Sequence, residues 1–169
     1  YLRHETNAGK TELGIIPTYK GRVSSTGLSK DGWITGIRHV RKLQNNTALE
    51  IVVGQLANAE ASEAFNVGEE DEYFEMEYSA NMGERHSYEA SFERMLNGTF
   101  ARAEYRFRIN EEDTAFVELV QRTDESAAKI VVGTSGEFTM NAFNTAYPVE
   151  YFAYYSYIDS SFGERAELI

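Results

Sequence analysis

Cysteine is absent from the 169 residues, which removes disulfides, thiolate metal sites and cysteine nucleophiles at once. That absence suits a periplasm or an outer membrane as well as a cytosol. Basic surplus is missing too: the formal net charge is -11, and a nucleic-acid surface needs concentrated positive charge, so no nucleic-acid partner is expected. No apolar run approaches the ~20 residues that carry a helix across a bilayer. The phosphate-loop, G-x-S-x-G and H-E-x-x-H patterns are all lacking. Histidine is limited to His4, His39 and His86, too scattered to have metal-ligand spacing. No signal peptide is visible, and a chain that begins at Tyr1 rather than Met points to a processed or trimmed N-terminus.

What is present is strand chemistry. Eleven Tyr, ten Phe and thirteen Gly stand against two Pro, a composition of strands and turns. In "TFARAEYRFRI" the residues Ala101, Ala103, Tyr105, Phe107 and Ile109 alternate with Arg102, Glu104, Arg106 and Arg108. Period-two alternation gives a strand with two chemically different faces. Similar segments lie at 14–23, 33–42, 48–56, 72–81, 86–95, 99–109, 114–123, 129–140 and 147–158, with further candidates at 1–6 and at the C-terminal ERAELI. Clusters rich in Gly, Asn, Asp and Ser separate them, as turns require. Asn97-Gly98 suits a tight hairpin. Only 57–71 reads as a long connection, and its first half is compatible with a short helix. Without strand–helix alternation, the expectation is one all-β domain over 1–169, an antiparallel meander barrel of about ten to twelve strands.

The alternation fits either of two media. Charges facing water, with the apolar rows inside, make a soluble β-protein. Charges facing a lumen, with the apolar rows in lipid, make a membrane barrel. The rows are long: Phe74 to Met82, Ile130 to Met140 and Tyr147 to Tyr157 each alternate without a break, and barrel strands that cross a membrane need ~9–11 tilted residues. The opposite faces carry both signs, with Glu75 and Glu77, Glu89 and Glu93, and Glu118 and Arg122, while Lys20 and Arg22 oppose Ile15, Pro17, Tyr19 and Val23. Polar lumens of both signs and solvated outer faces look alike at this level.

Three stretches bear on the choice. "YLRHE" at 1–5 resembles the first strand of the oligogalacturonate-specific porins and their sialic-acid-channel relatives. "ARAEYRFRINEEDTAFVELVQR" at 101–122 is similar to a hairpin of that family, with an Arg-bearing strand, a polar turn and an aliphatic strand ending in Arg. "VEYFAYYSYID" resembles its Tyr-rich late strand. The resemblance implies a small monomeric outer-membrane barrel that passes small hydrophilic or acidic solutes such as oligosaccharides, with no cofactor and no enzymatic activity. Arg102, Arg106, Arg108 and Arg122 would then line the lumen, together with Lys20 and Arg22 from the early polar face, and Arg3 as a weaker member. Planar guanidinium groups would hand a carboxylated sugar along by charge-assisted hydrogen bonds.

The rival expectation is a soluble barrel or sandwich, secreted or periplasmic, that binds a carbohydrate or small apolar ligand on Tyr151, Tyr155 and Tyr157. Acid–base catalysis by Glu75 and Glu77, two residues apart on one face, is a weaker possibility, because an acidic chain generates such pairs freely. "GEEDE" at 68–72 lacks the spacing of a calcium loop and reads as a solvated acidic turn.

Overall fold

A computed structural model describes residues 1–17, 33–57, 72–95, 98–142 and 145–163. They form ten strands: β1 (Leu2–Thr6), β2 (Gly9–Pro17), β3 (Trp33–Lys42), β4 (Thr47–Ala57), β5 (Glu72–Met82), β6 (His86–Met95), β7 (Gly98–Arg108), β8 (Thr114–Arg122), β9 (Ala127–Ala142) and β10 (Thr145–Ile158). All lie in one sheet, each strand antiparallel to the next in chain order. The all-β meander and the number of strands are as the periodicity indicates. Trp33 opens a strand, and the strand over 99–109 keeps Ala103, Tyr105 and Phe107 on one face and Arg102, Glu104 and Arg106 on the other.

Most boundaries fall within two residues of the expected ones, and one differs by more. The strand expected at 14–23 begins at Gly9, because in Gly-Lys-Thr-Glu-Leu-Gly neither alternating set is apolar enough to announce itself. Its continuation past Pro17, the residues Lys20 and Arg22, the 58–71 connection and the ERAELI segment lie outside the described residues.

Register ties the faces together. Tyr78 pairs with Ala90, Ala90 with Ala103, Ala103 with Leu119, and Leu119 with Ile130. Directly opposed residues share a face, since a one-residue slip would turn a whole strand over. The row on the other face runs Ser79, Glu89, Glu104, Glu118 and Val131. This polar face is the buried one: Glu118 has no solvent contact, whereas Val53 is 54% and Leu119 45% exposed. No second sheet and no helix stands over the buried face among the described residues, so the sheet rolls to enclose it.

Glycine permits the roll. Gly14, Gly36 and Gly54 oppose one another across β2, β3 and β4 on the inner face. A Cβ on Gly36 would lie 2.1 Å from the Val53 carbonyl oxygen and 2.6 Å from the Gly54 Cα, and Gly14 takes φ +112°. Three strands can therefore approach and bend where any side chain would hold them apart. β9 and β10 run past the end of β8, pairing only with each other beyond Ser135. A stagger of this kind accompanies strand tilt in barrels. Among the described residues no ladder joins β1 to β10, which leaves a seam between the first and last strands.

The apolar part of the interior sits at one end. Ile34, Val52, Tyr73, Met95, Phe100 and Val120 gather there around Phe162, which follows β10 and has no solvent contact. Phe162 and Phe100 have ring centroids 5.8 Å apart, a tilted aromatic contact.

Candidate functional site

The sheet's enclosed face is organised around two ion-pair centres of opposite sign. The first is a carboxylate shared by cations. Glu12 on β2 accepts hydrogen bonds from Arg3 Nε at 2.9 Å and Nη2 at 2.8 Å, and from Arg38 Nη1 at 3.3 Å. Lys10 Nζ adds an ion pair at 3.4 Å. Arg38 also donates to the Pro17 carbonyl at 2.8 Å and pairs with Glu50 at 3.1 Å. Antiparallel register creates this centre by placing Arg3, Glu12 and Arg38 in one row across three strands.

The second is a cation shared by carboxylates. Arg102 on β7 donates from Nε to Glu118 at 2.5 Å, from Nη2 to Glu104 at 2.6 Å, and from Nη1 to Glu89. All four side chains are essentially without solvent contact. Arg106 donates from Nε to the other oxygen of Glu104 at 2.7 Å and lies over the Phe116 ring at 5.8 Å. A planar fork of five donors is suited to several carboxylates at once, where a lysine ammonium acts as a point charge.

Why such a centre is needed follows from the register. Glu50 opposes Glu77, Glu75 opposes Glu93, Glu89 opposes Glu104, and Glu104 opposes Glu118. Like charges directly across a ladder destabilise it, and burying a carboxylate without partners costs far more. Arg102 answers the last two juxtapositions. Tyr73 donates its hydroxyl to Glu75 at 2.7 Å, and Ser91 donates to Glu93 at 2.9 Å. Even so, one oxygen each of Glu89 and Glu118 has no hydrogen-bond partner.

Of the arginines expected to line a lumen, Arg102 and Arg106 face the interior, and Arg108 continues their row into the open. Arg122 sits at the rim, donating to Asp124 and, from Nη1, to the Phe162 carbonyl at 3.2 Å. Arg3 joins the Glu12 centre. Arg122 and the Thr99 amide hold the Asp124 carboxyl down at about 2. At the opposite end, the Tyr151 hydroxyl, and then Asn110, lower Asp113 below the ordinary carboxylate range.

The tyrosine row of β10 lies on the outer face, where Tyr155 is 74% exposed. Glu75 and Glu77 share the inner face as the spacing requires. His39 bonds Thr11, and His86 bonds Tyr105, both on the outside. Among the described residues no three His, Cys, Asp or Glu are grouped to hold a metal ion.

Sequence reading singles out the glutamates of β5, β6 and β8 but misses Glu12, Arg38 and Lys129 as interior charges. In "WITGIRHVRK" polar residues stand on both faces, so periodicity has no contrast to report. Lys129 could have been found, because it shares alternation with Val131 and Gly133 opposite Ile130 and Val132. No protein-family model, curated protein or solved structure matches the chain.

Proposed function

We propose that this chain is a membrane-spanning β-barrel of the bacterial outer membrane, acting as a monomer, whose polar interior passes small hydrophilic solutes such as oligosaccharides. The observation that carries the reading is the inversion of the two faces. Ionised side chains occupy the enclosed face, and large apolar side chains such as Ile37, Val53, Phe92, Leu119 and Val132 stand outside. In water that arrangement wastes apolar burial and pays desolvation of charge; in a bilayer it is the stable one. Strand length agrees, with nine to eleven residues in each of β2 to β8 against the ~9–11 needed to cross at a tilt.

For acidic sugars the arginines with donors nearest an opening matter most, namely Arg106 and Arg108. The test is flotation with lipid vesicles after refolding, coupled to entry of small neutral and carboxylated sugars into those vesicles. The reading expects a chain that needs detergent, floats with lipid and admits small sugars. A chain that stays monodisperse in plain buffer and leaves the vesicles would be a soluble ligand-binding barrel instead.

A further inference from the structure

Resting on the membrane-barrel reading, we propose that the bilayer meets this chain along an oblique band of its outer face, with the strands tilted by about 35° to the membrane normal. Tyr78, Tyr88, Tyr105 and Tyr151 then sit at one headgroup boundary, and Arg94, Thr99 and Gln121 at the other.

Directly opposed residues lie at one height along the strands, so each ladder row is a contour drawn at right angles to them. The outward rows do not keep one character. Leu2, Leu13, Ile37, Val53 and Phe74 make an apolar row across β1 to β5, which then meets Arg94 and Thr99 on β6 and β7. Two residues nearer the β1–β2 turn, the row begins polar with His4, Thr11 and His39. It is apolar through Ile51, Met76, Phe92 and Ala101 and ends at Gln121. Further in the same direction, Tyr88 and Tyr105 lead into Val117, Val132 and Tyr155 on β8, β9 and β10.

The apolar stretch thus climbs by about one residue per strand, ~3.3 Å for each ~4.8 Å of strand spacing, which is an angle of about 35°. Ile37, Met76, Ala103 and Val132, on β3, β5, β7 and β9, are four points on its midline. Strands of barrels that span membranes tilt by roughly 35–45°. An apolar face covered by a protein partner has no need of a straight edge at that angle, whereas a flat slab of hydrocarbon imposes one. From Phe74 to Met82 the outward row of β5 rises ~22 Å along the barrel axis at this tilt, close to the ~25 Å of lipid-facing bands.

The two edges carry the groups that suit a membrane–water boundary, where aromatic rings with a polar tip collect. At one edge the Tyr78 and Tyr88 rings lie 5.9 Å apart, the Tyr105 hydroxyl bonds His86 at 2.6 Å, and the Tyr151 hydroxyl donates to Asp113 at 2.7 Å. At the other, beside Gln121 and Arg94, the Tyr157 hydroxyl donates to Asp159 at 2.8 Å.

The experiment places nitroxide spin labels at single cysteines, in a chain that has none of its own, after refolding into vesicles. Depth is read from the relative access of oxygen and of a water-soluble nickel chelate. Ile37→Cys, Met76→Cys, Ala103→Cys and Val132→Cys should report one common depth within the hydrocarbon. His39→Cys and Gln121→Cys, in the same ladder row as Met76, should both be markedly shallower. Polarised infrared absorption of the unmodified chain in oriented bilayers, which needs no variant, should give a strand tilt of about 35°. Equal depths at His39, Met76 and Gln121 with unequal depths at Ile37 and Val132, or a tilt under about 20°, overturn the oblique band and leave the barrel reading intact. Free access of the nickel chelate at all six sites overturns both, as does exclusion of both reagents, the signature of a face covered by protein.

Discussion

Arg102 and Glu12 solve one problem from opposite sides. Each is a single buried charge surrounded by several of the other sign, and each collects most of its partners from neighbouring strands and one from two residues away on its own strand, Lys10 and Glu104 respectively. Such centres pin strand register, because a slip of one residue would place every member on the outside. A simpler pair, Arg122 and Asp124, closes the β8–β9 turn at the rim, and its carboxylate also accepts the Thr99 amide. The Asp124 carboxyl lies at about 2, below its unfolded value of roughly 3.9. A depressed folded value means that its contribution is fully present above the unfolded value and is lost as pH falls toward 2. Asp124→Asn should therefore lower the urea midpoint at about pH 6 and lower it much less near pH 2, where the carboxyl is being protonated in the folded state. Urea titrations of both proteins at the two pH values check this, and an equal deficit at both would assign the effect to something other than the ionised carboxylate.

At the scale of the strand, most of the architecture was legible. Alternation over 72–82, 99–109 and 129–140 marks two faces, and the turn clusters between them mark a meander. The absence of strand–helix alternation excludes a parallel sheet. What alternation could not supply was the start of β2, where Lys10 and Glu12 share a segment with Thr11 and Leu13, or the choice of enclosed face. Nor could it reveal the bend. The glycines at 14, 36 and 54 are far apart in sequence, and only register brings them into one row. Gly36→Ala would drive a methyl into the Val53 carbonyl and the Gly54 backbone, a clash between main chains that no rotamer relieves. It should cost at least about 1–3 kcal/mol, the range for overpacking. Gly83→Ala, in the β5–β6 turn at φ +69° with no atom within 4 Å of the added carbon, should cost only the left-handed backbone penalty of roughly 1–2 kcal/mol. Urea unfolding of the two variants checks the order. A larger loss at Gly83 would show that the glycine row does not shape the sheet.

For the molecule as a whole, the consequence of the ladders is that the buried face carries the charged residues together with an apolar cluster at one end, while the opposite face carries large exposed apolar groups. The sequence carried both sets but not their sense. An alternating strand reads the same whichever face is enclosed, and the Glu12 and Arg102 centres that bind the charged face from within exist only once strands are paired. Arg102 and Arg106, which the resemblance to the oligogalacturonate-specific porins would place in a lumen, lie on the buried face, although nothing in the fold tests the resemblance itself. The carboxylates interleaved with them make that interior acidic rather than a bare arginine track.

On the membrane-barrel reading the exposed apolar face lies against lipid. Because the chain has no cysteine, single cysteines can be placed along β7 without background. The most direct measurement labels Ala101→Cys, Ala103→Cys, Tyr105→Cys, Arg106→Cys and Arg108→Cys with an environment-sensitive fluorophore in vesicles containing brominated lipid. Quenching should be strong at 101, 103 and 105, with blue-shifted emission, and weak at 106 and 108, following the period-two pattern. Emission typical of water at 103 and 105, with no quenching by the lipid, would contradict the account and return the apolar face to solvent or to a protein partner.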